Sequence, residues 1–378
     1  MKYTINDIAT VISESIPNPS ESGYEIFVGL EHYDSGEVKV SRYGSTANLV
    51  TAVKLFKKGD ILLARRNVYL KRAGLVDFDG VTSGDSIVLR VKEDLSNLGL
   101  SSVDVQKYLP FVLNTEEFWN YAEKYSDGTM SKRLSPKTLL QYEFEIPENI
   151  SEKNDLLWAA FEAKESYRKM IAATDEMVKS QFISQFGNDS IPKVELSSLC
   201  TEFLDGDWIE SKDQSDSGYR LVQTGNVGIG EYIDKSGKAR FVSEDTFKRL
   251  NCTEVFAGDI LFSRLPEPLG RCCILPENFQ KAITAVDCAI ARLGDKCLPE
   301  FLVTYTSTEL YTAQVNKCMT GTTRQRISRN NLAKILVPCP DLTAQKSFVR
   351  VARQADKSKF ELKQAIEKID KVMRALMQ

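Results

Sequence analysis

Between Ser151 and Phe186 the chain contains no proline or glycine, and it returns to the same condition from Leu342 to Met377. The first segment opens with Ser151 as a candidate N-cap, carries Glu152 and Asp155 where an acidic first turn suits the helix dipole, and closes at Gly187. Its apolar residues recur at helical spacing through Ile171, Val178 and Phe182, although Lys164 and Thr174 dilute the seam. The second segment has the cleaner pattern. Leu362, Ile366, Ile369, Met373 and Leu376 step by 4, 3, 4 and 3 residues, the a/d spacing of a coiled coil, with Lys363, Glu367, Lys368, Asp370 and Lys371 outside it. At 1.5 Å per residue each helix would be roughly 50 Å long, more than a compact domain needs. Pairing of the two is the economical way to cover both stripes. Leu362, Ile366 and Ile369 are therefore expected against the Ile171 to Phe182 stretch, with Met373 also on the coiled-coil interface.

Each long helix follows a globular stretch, and the two stretches repeat faintly. Tyr3 to Ile8 is echoed by Val194 to Leu199, and Gly23-Tyr24 by Gly218-Tyr219. Gly59-Asp60-Ile61-Leu62 returns letter for letter as Gly258-Asp259-Ile260-Leu261, each copy reaching an arginine three residues later, Arg65 and Arg264. Gly128-Thr129, Arg133 and Ser135 then match Gly321-Thr322, Arg326 and Ser328. Glu25 to Leu30, Ile61 to Ala64, Ser86 to Val91 and Ile283 to Leu293 read as strands, and Val103 to Lys124 and Pro299 to Lys317 as helical stretches. The expected organisation is a mixed α/β domain over 1–150, a helix over 151–187, a second such domain over 188–341 and a helix over 342–378. In fold class this is α+β, two pseudo-repeated domains joined by two long antiparallel helices that form a coiled coil.

Composition restricts the function. No N-terminal signal and no span long enough for a membrane helix are present, so a cytoplasmic protein without membrane contact is expected. The eight cysteines show no CxxC spacing and the chain has one histidine, His32, so no metal site and reduced, buried thiols are expected. A net charge of −3 opposes a generally basic nucleic-acid binder, but the halves split after Ser190 carry −6 and +3, so any such surface is local. There is no GxxxxGK[ST] loop, GxGxxG, HExxH or usable GxSxG, and no Asn/Asp-Pro-Pro-Tyr/Phe tetrapeptide. No catalytic residue is assigned.

What remains is local basicity with hydrogen-bonding neighbours. Gly321-Thr322-Thr323-Arg324-Gln325-Arg326-Ile327-Ser328-Arg329 gathers arginines, a glutamine and hydroxyls in a glycine-led turn, groups suited to phosphate oxygens and base edges. Arg65, Lys71 and Arg72 flank an aromatic, Tyr69, and could line a backbone groove. Further cations stand beside these features: Lys132 and Arg133 in the first turn, Arg264 and Arg271 in the second half.

These features resemble the specificity subunits of type I restriction-modification enzymes. The resemblance rests on the Gly-Asp-Ile-Leu strand ending in arginine, the Gly321 to Ser328 turn, and Val337-Pro338-Cys339-Pro340-Asp341-Leu342-Thr343-Ala344-Gln345 leading into a terminal helix. It covers the whole chain in the order target-recognition domain, helix, target-recognition domain, helix. The first half departs from it, with Gly128-Thr129-Met130-Ser131-Lys132-Arg133 in place of the arginine/glutamine turn and Lys153-Asn154 where a glutamine is usual. The resemblance implies a non-catalytic subunit that reads a bipartite double-stranded DNA target with a fixed spacer. It also implies two methyltransferase subunits supplying S-adenosylmethionine, and restriction/translocase subunits supplying ATP use and Mg, with no cofactor in this chain. Two readings from other classes stand beside it: a free-standing two-domain enzyme using a cysteine, and a coiled-coil adaptor without DNA contact.

Overall fold

The computed structural model describes residues 2–129, 131–277, 279, 281–321 and 325–378. The chain divides into two compact units, the first formed by residues up to Ser166 together with Ala365–Gln378, the second by Tyr167–Gln364. In the first, a four-stranded antiparallel sheet runs Ala9–Ile12, Ser86–Val91, Ile61–Ala64, Ala73–Leu75. A five-stranded sheet runs Ser15–Ile16, Val53–Phe56, Gly80–Thr82, Ile26–Val28, Gly44–Ser45. The second unit repeats this path with Cys200–Asp205, Cys288–Leu293, Ile260–Ser263, Cys272–Ile274 in one sheet. Glu254–Val255, Ala282–Thr284, Tyr219–Val222 and Phe241–Val242 form the other. Each second sheet holds one parallel pair, Phe27 opposite Val81 in the first unit and Leu221 opposite Ile283 in the second.

The repeated Gly-Asp-Ile-Leu is a structural signature. Its strand is buried on both faces: Ile61 and Leu63 join the core under the helices, while Leu62 and Ala64 face the core beneath the other sheet. Ile260 and Phe262 likewise divide from Leu261. A strand covered on both faces needs a continuous apolar run, which is what the sequence supplies. The aspartate closes the turn that feeds the strand. Asp60 accepts the Lys57 N–H at 2.8 Å and takes Arg90 of the neighbouring strand in a two-pronged pair at 2.7 Å. Asp259 accepts the Phe256 N–H at 2.9 Å and meets Arg292 at 3.2 Å. Gly59 and Gly258 precede it at φ +91° and +88°, a region that side chains other than glycine occupy with strain.

Two expected elements are each divided. Ile283 to Leu293 reads as one strand but breaks at Ala285–Asp287, so that Ala282–Thr284 and Cys288–Leu293 enter different sheets. Val103 to Lys124 becomes Ser102–Val112 and Glu116–Lys124, because the Thr115 side chain accepts the Phe118 N–H and starts a new helix. Pro299 to Lys317 also divides, into Pro299–Thr306 and Glu309–Cys318, here without a side-chain cap at Thr308.

The long helices occupy Ile150–Phe186 and Leu342–Met377. Within the second unit Asp175 meets Lys359 at 2.5 Å and the Phe182 ring lies 5.3 Å from Phe348, so numbering rises along one helix as it falls along the other. They are antiparallel. Phe182 is fully buried, enclosed by Phe186, Phe301, Tyr305 and Phe348. Leu362, Ile366, Ile369 and Met373, like Ile171 and Val178, are half-buried, since two helices alone cannot enclose a seam residue from every side. Lys164 is buried and bridges Asp370 at 3.1 Å and Glu37 at 3.4 Å. The residue that dilutes the seam in sequence is a shared cation within the first unit. Met373, Leu376 and Met377 pack against the first unit's core. Phe182→Ala is expected to cost about 3–5 kcal/mol of stability, read by urea denaturation. A loss below about 1 kcal/mol would show that the ring is not enclosed.

Candidate nucleic-acid interface

The glycine-led turns are closed by the same kind of backbone pair in both units. In the second, Thr320 and Arg326 exchange both backbone hydrogen bonds at 2.8 and 2.9 Å, pinching off the residues between them. In the first, Asp127 and Arg133 do so at 3.0 and 2.8 Å. The glycine just inside, Gly321 or Gly128, has φ +91° or +95°, which explains why each turn begins with that residue. Each loop is stitched to the arginine ending the Gly-Asp-Ile-Leu strand: the Ile327 N–H donates to the Arg264 carbonyl at 3.2 Å, and the Leu134 N–H to that of Arg65 at 2.9 Å. An aspartate then braces the loop's arginine. Arg326 meets Asp287 at 2.5 Å, and Arg133 meets Asp85 at 3.6 Å.

The candidate residues therefore divide. Gln325 and Lys132 are exposed, with Lys132 donating to the Glu123 carbonyl at 2.9 Å, and Arg133 and Arg326 keep part of their surface in solvent beside their aspartates. Thr322, Thr323 and Arg324 lie outside the described residues. Arg264 is nearly enclosed, its side chain 12% exposed, paired with Asp205 at 2.5 Å and donating to the carbonyls of Ile327 and Val286. Arg271 donates to four carbonyls, those of Val227, Leu265, Pro268 and Thr224, at 2.7 to 3.0 Å. Arg72 donates to those of Leu30 and Arg66, and Lys71 pairs with Glu116 at 2.5 Å. Burial pulls the guanidinium pKa down at both Arg72 and Arg271, as expected of charges held among carbonyls without a carboxylate partner. The structure brings Arg65 and Arg264 to their loops; Arg271 is elsewhere, beneath the Thr224–Val227 turn.

That turn forms one wall of a basic cleft that the sequence reading passes over. Arg220, Gln223 and Asn226 line one side, Lys235, Lys238 and Arg240 the other. Arg220 is held by Asp234 at 2.6 Å and by the rings of Tyr232 and Phe279. Asn226 ties the turn down by accepting the Gln223 N–H and donating to the Ile233 carbonyl, both at 3.0 Å. Lys235, Lys238 and Arg240 are exposed, and among the described residues none has an ion-pair partner. The signal was available in Lys235-Ser236-Gly237-Lys238-Ala239-Arg240, three cations without a carboxylate in six residues. The second wall is visible only once the turn at Gln223 folds against it.

Residues 191–371 match the family model for the type I restriction modification DNA specificity domain. The match takes in the second repeated domain and most of the terminal helix. No curated protein matches the sequence. Among solved structures, the S subunit of the type I restriction-modification system from M. genitalium aligns over 100% of this chain and 96% of its own, at 15% identity and TM-score 0.52. A chain from work on complex assembly and conformational transition of the type I R-M system aligns over the same shares at 16% identity and TM-score 0.52. At these identities the likeness is one of fold, and it takes in both repeated domains and both long helices.

Exposed hydrogen-bonding loops and unpaired cations are groups suited to phosphate oxygens and base edges. The thiols offer a poor alternative: Cys252, Cys272, Cys273, Cys288 and Cys297 are buried, and burial pushes Cys272 up to about 12 and Cys288 up to about 11, far from the thiolate that nucleophilic catalysis requires. His32 is used locally, its Nδ1 accepting the Gly29 N–H at 2.9 Å. Among the described residues no group of three or more His, Cys, Asp or Glu could hold a metal ion. The loop's two kinds of residue are separable by stability. Arg264→Ala, which removes a nearly enclosed ion pair and two carbonyl contacts, is expected to cost about 2–4 kcal/mol. Gln325→Ala should stay within about 0.5 kcal/mol of the parent. Urea denaturation of both variants checks this, and equal losses would contradict the division.

Proposed function

We propose that this chain is the DNA-reading subunit of a type I restriction-modification assembly, with each repeated domain addressing one part of a bipartite duplex target. The observation that carries the proposal is the repeat itself: two units with matching sheets and the same backbone pair closing a glycine-led turn, the second pair lying within the family match. One chain with two copies of a reading domain suits two half-sites separated by unread base pairs. Loop residues such as Gln325 suit base edges, a glutamine pairing with adenine, while cations nearby take phosphates. The chain itself would do no chemistry. Two adenine methyltransferase subunits would bring S-adenosylmethionine, and motor-nuclease subunits would bring ATP hydrolysis with Mg; the long helices are the natural docking elements for such partners. Replacing residues 1–150 by the corresponding domain of a relative should change one half of the methylated sequence and leave the other half and the spacer untouched. Methylome sequencing of cells carrying the assembly reads the result, and a change in both halves would show that the domains do not read independently.

A further inference from the structure

The two units share a strand order but not the electrostatics of one feature, the gap beside the parallel pair of the second sheet. In the second unit this gap is the basic cleft between the turn after Tyr219–Val222 and the segment entering Phe241–Val242. Residues 220–240 hold four cations and two carboxylates. Both carboxylates are engaged: Asp234 with Arg220 at 2.6 Å, and Glu231 with Lys363 of the terminal helix at 3.1 Å. Lys235, Lys238 and Arg240 are left on the solvent side without a countercharge among the described residues.

The first unit's equivalent stretch lies between the turn after Ile26–Val28 and the segment entering Gly44–Ser45. Residues 29–43 carry three carboxylates and two cations, the reverse balance. Both cations are paired, Arg42 with Asp34 and Lys39 with Asp77, each at 2.7 Å. Glu31 stands exposed beside them. A phosphate approaching this stretch meets carboxylates and cations already neutralised; one approaching the second unit's cleft meets three free cations in a concave wall.

Resting on the DNA-reading function proposed above, we propose that Lys235, Lys238 and Arg240 are the chain's principal phosphate clamp, so that the second unit supplies most of the sequence-independent hold on DNA while the first contributes little. Arg271 acts as a positioning residue for the clamp. Its bonds to the Thr224 and Val227 carbonyls fix the turn opposite the lysines. The arrangement gives a protein of net negative charge a local basic surface, three unpaired cations sharing one cleft.

The test measures equilibrium binding of the full-length chain to a random-sequence DNA duplex across a salt series, which needs no knowledge of the target. Each cation that neutralises a phosphate adds about 0.9 to the slope of log affinity against log salt. The triple variant Lys235→Gln, Lys238→Gln, Arg240→Gln should therefore lose about 2–3 units of slope, and between 50 and 200 mM salt the parent should weaken roughly 40-fold more than the variant. The first-unit control Lys39→Gln, Arg42→Gln should keep the parent slope, and the charge-preserving variant Lys235→Arg, Lys238→Arg, Arg240→Lys should restore it. All three positions are exposed, so an unchanged thermal midpoint is expected for the triple variant and certifies that it is folded. A parent slope retained in the folded triple variant, or lost equally in the first-unit control, overturns the clamp while DNA binding by the parent stands. Failure of the parent to bind duplex at low salt overturns the DNA-reading function itself.

Discussion

Closure of the first unit by the end of the chain is the constraint on which the rest depends. Met373, Leu376 and Met377 cover apolar surface in a core that also receives Tyr3, so residues from the two ends of a 378-residue chain share one cluster. The entropic cost of so long a closure grows only slowly, about 0.6 kcal/mol for each doubling of loop length, and is offset by burying the last turns of the helix. The terminal helix reaches that core as an uninterrupted element whose other end, through Phe348, Val349 and Ala352, is built into the second unit's core. Residues 365–378 are part of the first unit, whereas the second is contained within Tyr167–Gln364.

Below that constraint the two units are built alike because the same few interactions recur. The aspartate of Gly-Asp-Ile-Leu closes a turn and grips an arginine of the adjacent strand, Arg90 or Arg292, and the arginine ending the strand receives the glycine-led loop. The repeat in sequence was visible as letters. Its reason was not, because Arg90 and Arg292 lie 30 and 33 residues beyond their aspartates and belong to no recognisable spacing. The long helices, governed by local periodicity, were legible almost to the residue, while the stretch from Ile283 to Leu293 hid a change of sheet, since β-forming side chains look the same whichever sheet they enter.

Of the candidate interface, the loops were readable from their glycines and cations, but the state of each cation was not. Arg264 and Arg271 have the residue type and the neighbourhood of DNA contacts, yet their donors end on carbonyls and a carboxylate brought near only by folding. The opposite error concerns Lys235, Lys238 and Arg240, which look like an ordinary hydrophilic connection until a turn eleven residues earlier forms the facing wall. Charge counts over whole halves of the chain register neither effect. What decides whether an arginine can meet a phosphate is the list of acceptors already within its reach.

Lys164 gives the helix pair something that apolar spacing cannot. A seam of half-buried aliphatic residues repeating every three or four positions is nearly indifferent to sliding by seven residues, because one heptad looks much like the next. A buried ammonium is not indifferent: a slip of one heptad would carry Asp370 about 10 Å along the axis and leave the charge with one carboxylate in place of two. With Asp370 on one side and Glu37 of the globular part on the other, Lys164 works as a vernier mark, fixing which residue of the terminal helix stands beside which residue of the central one. Any length measured along these helices is thereby defined to a single register.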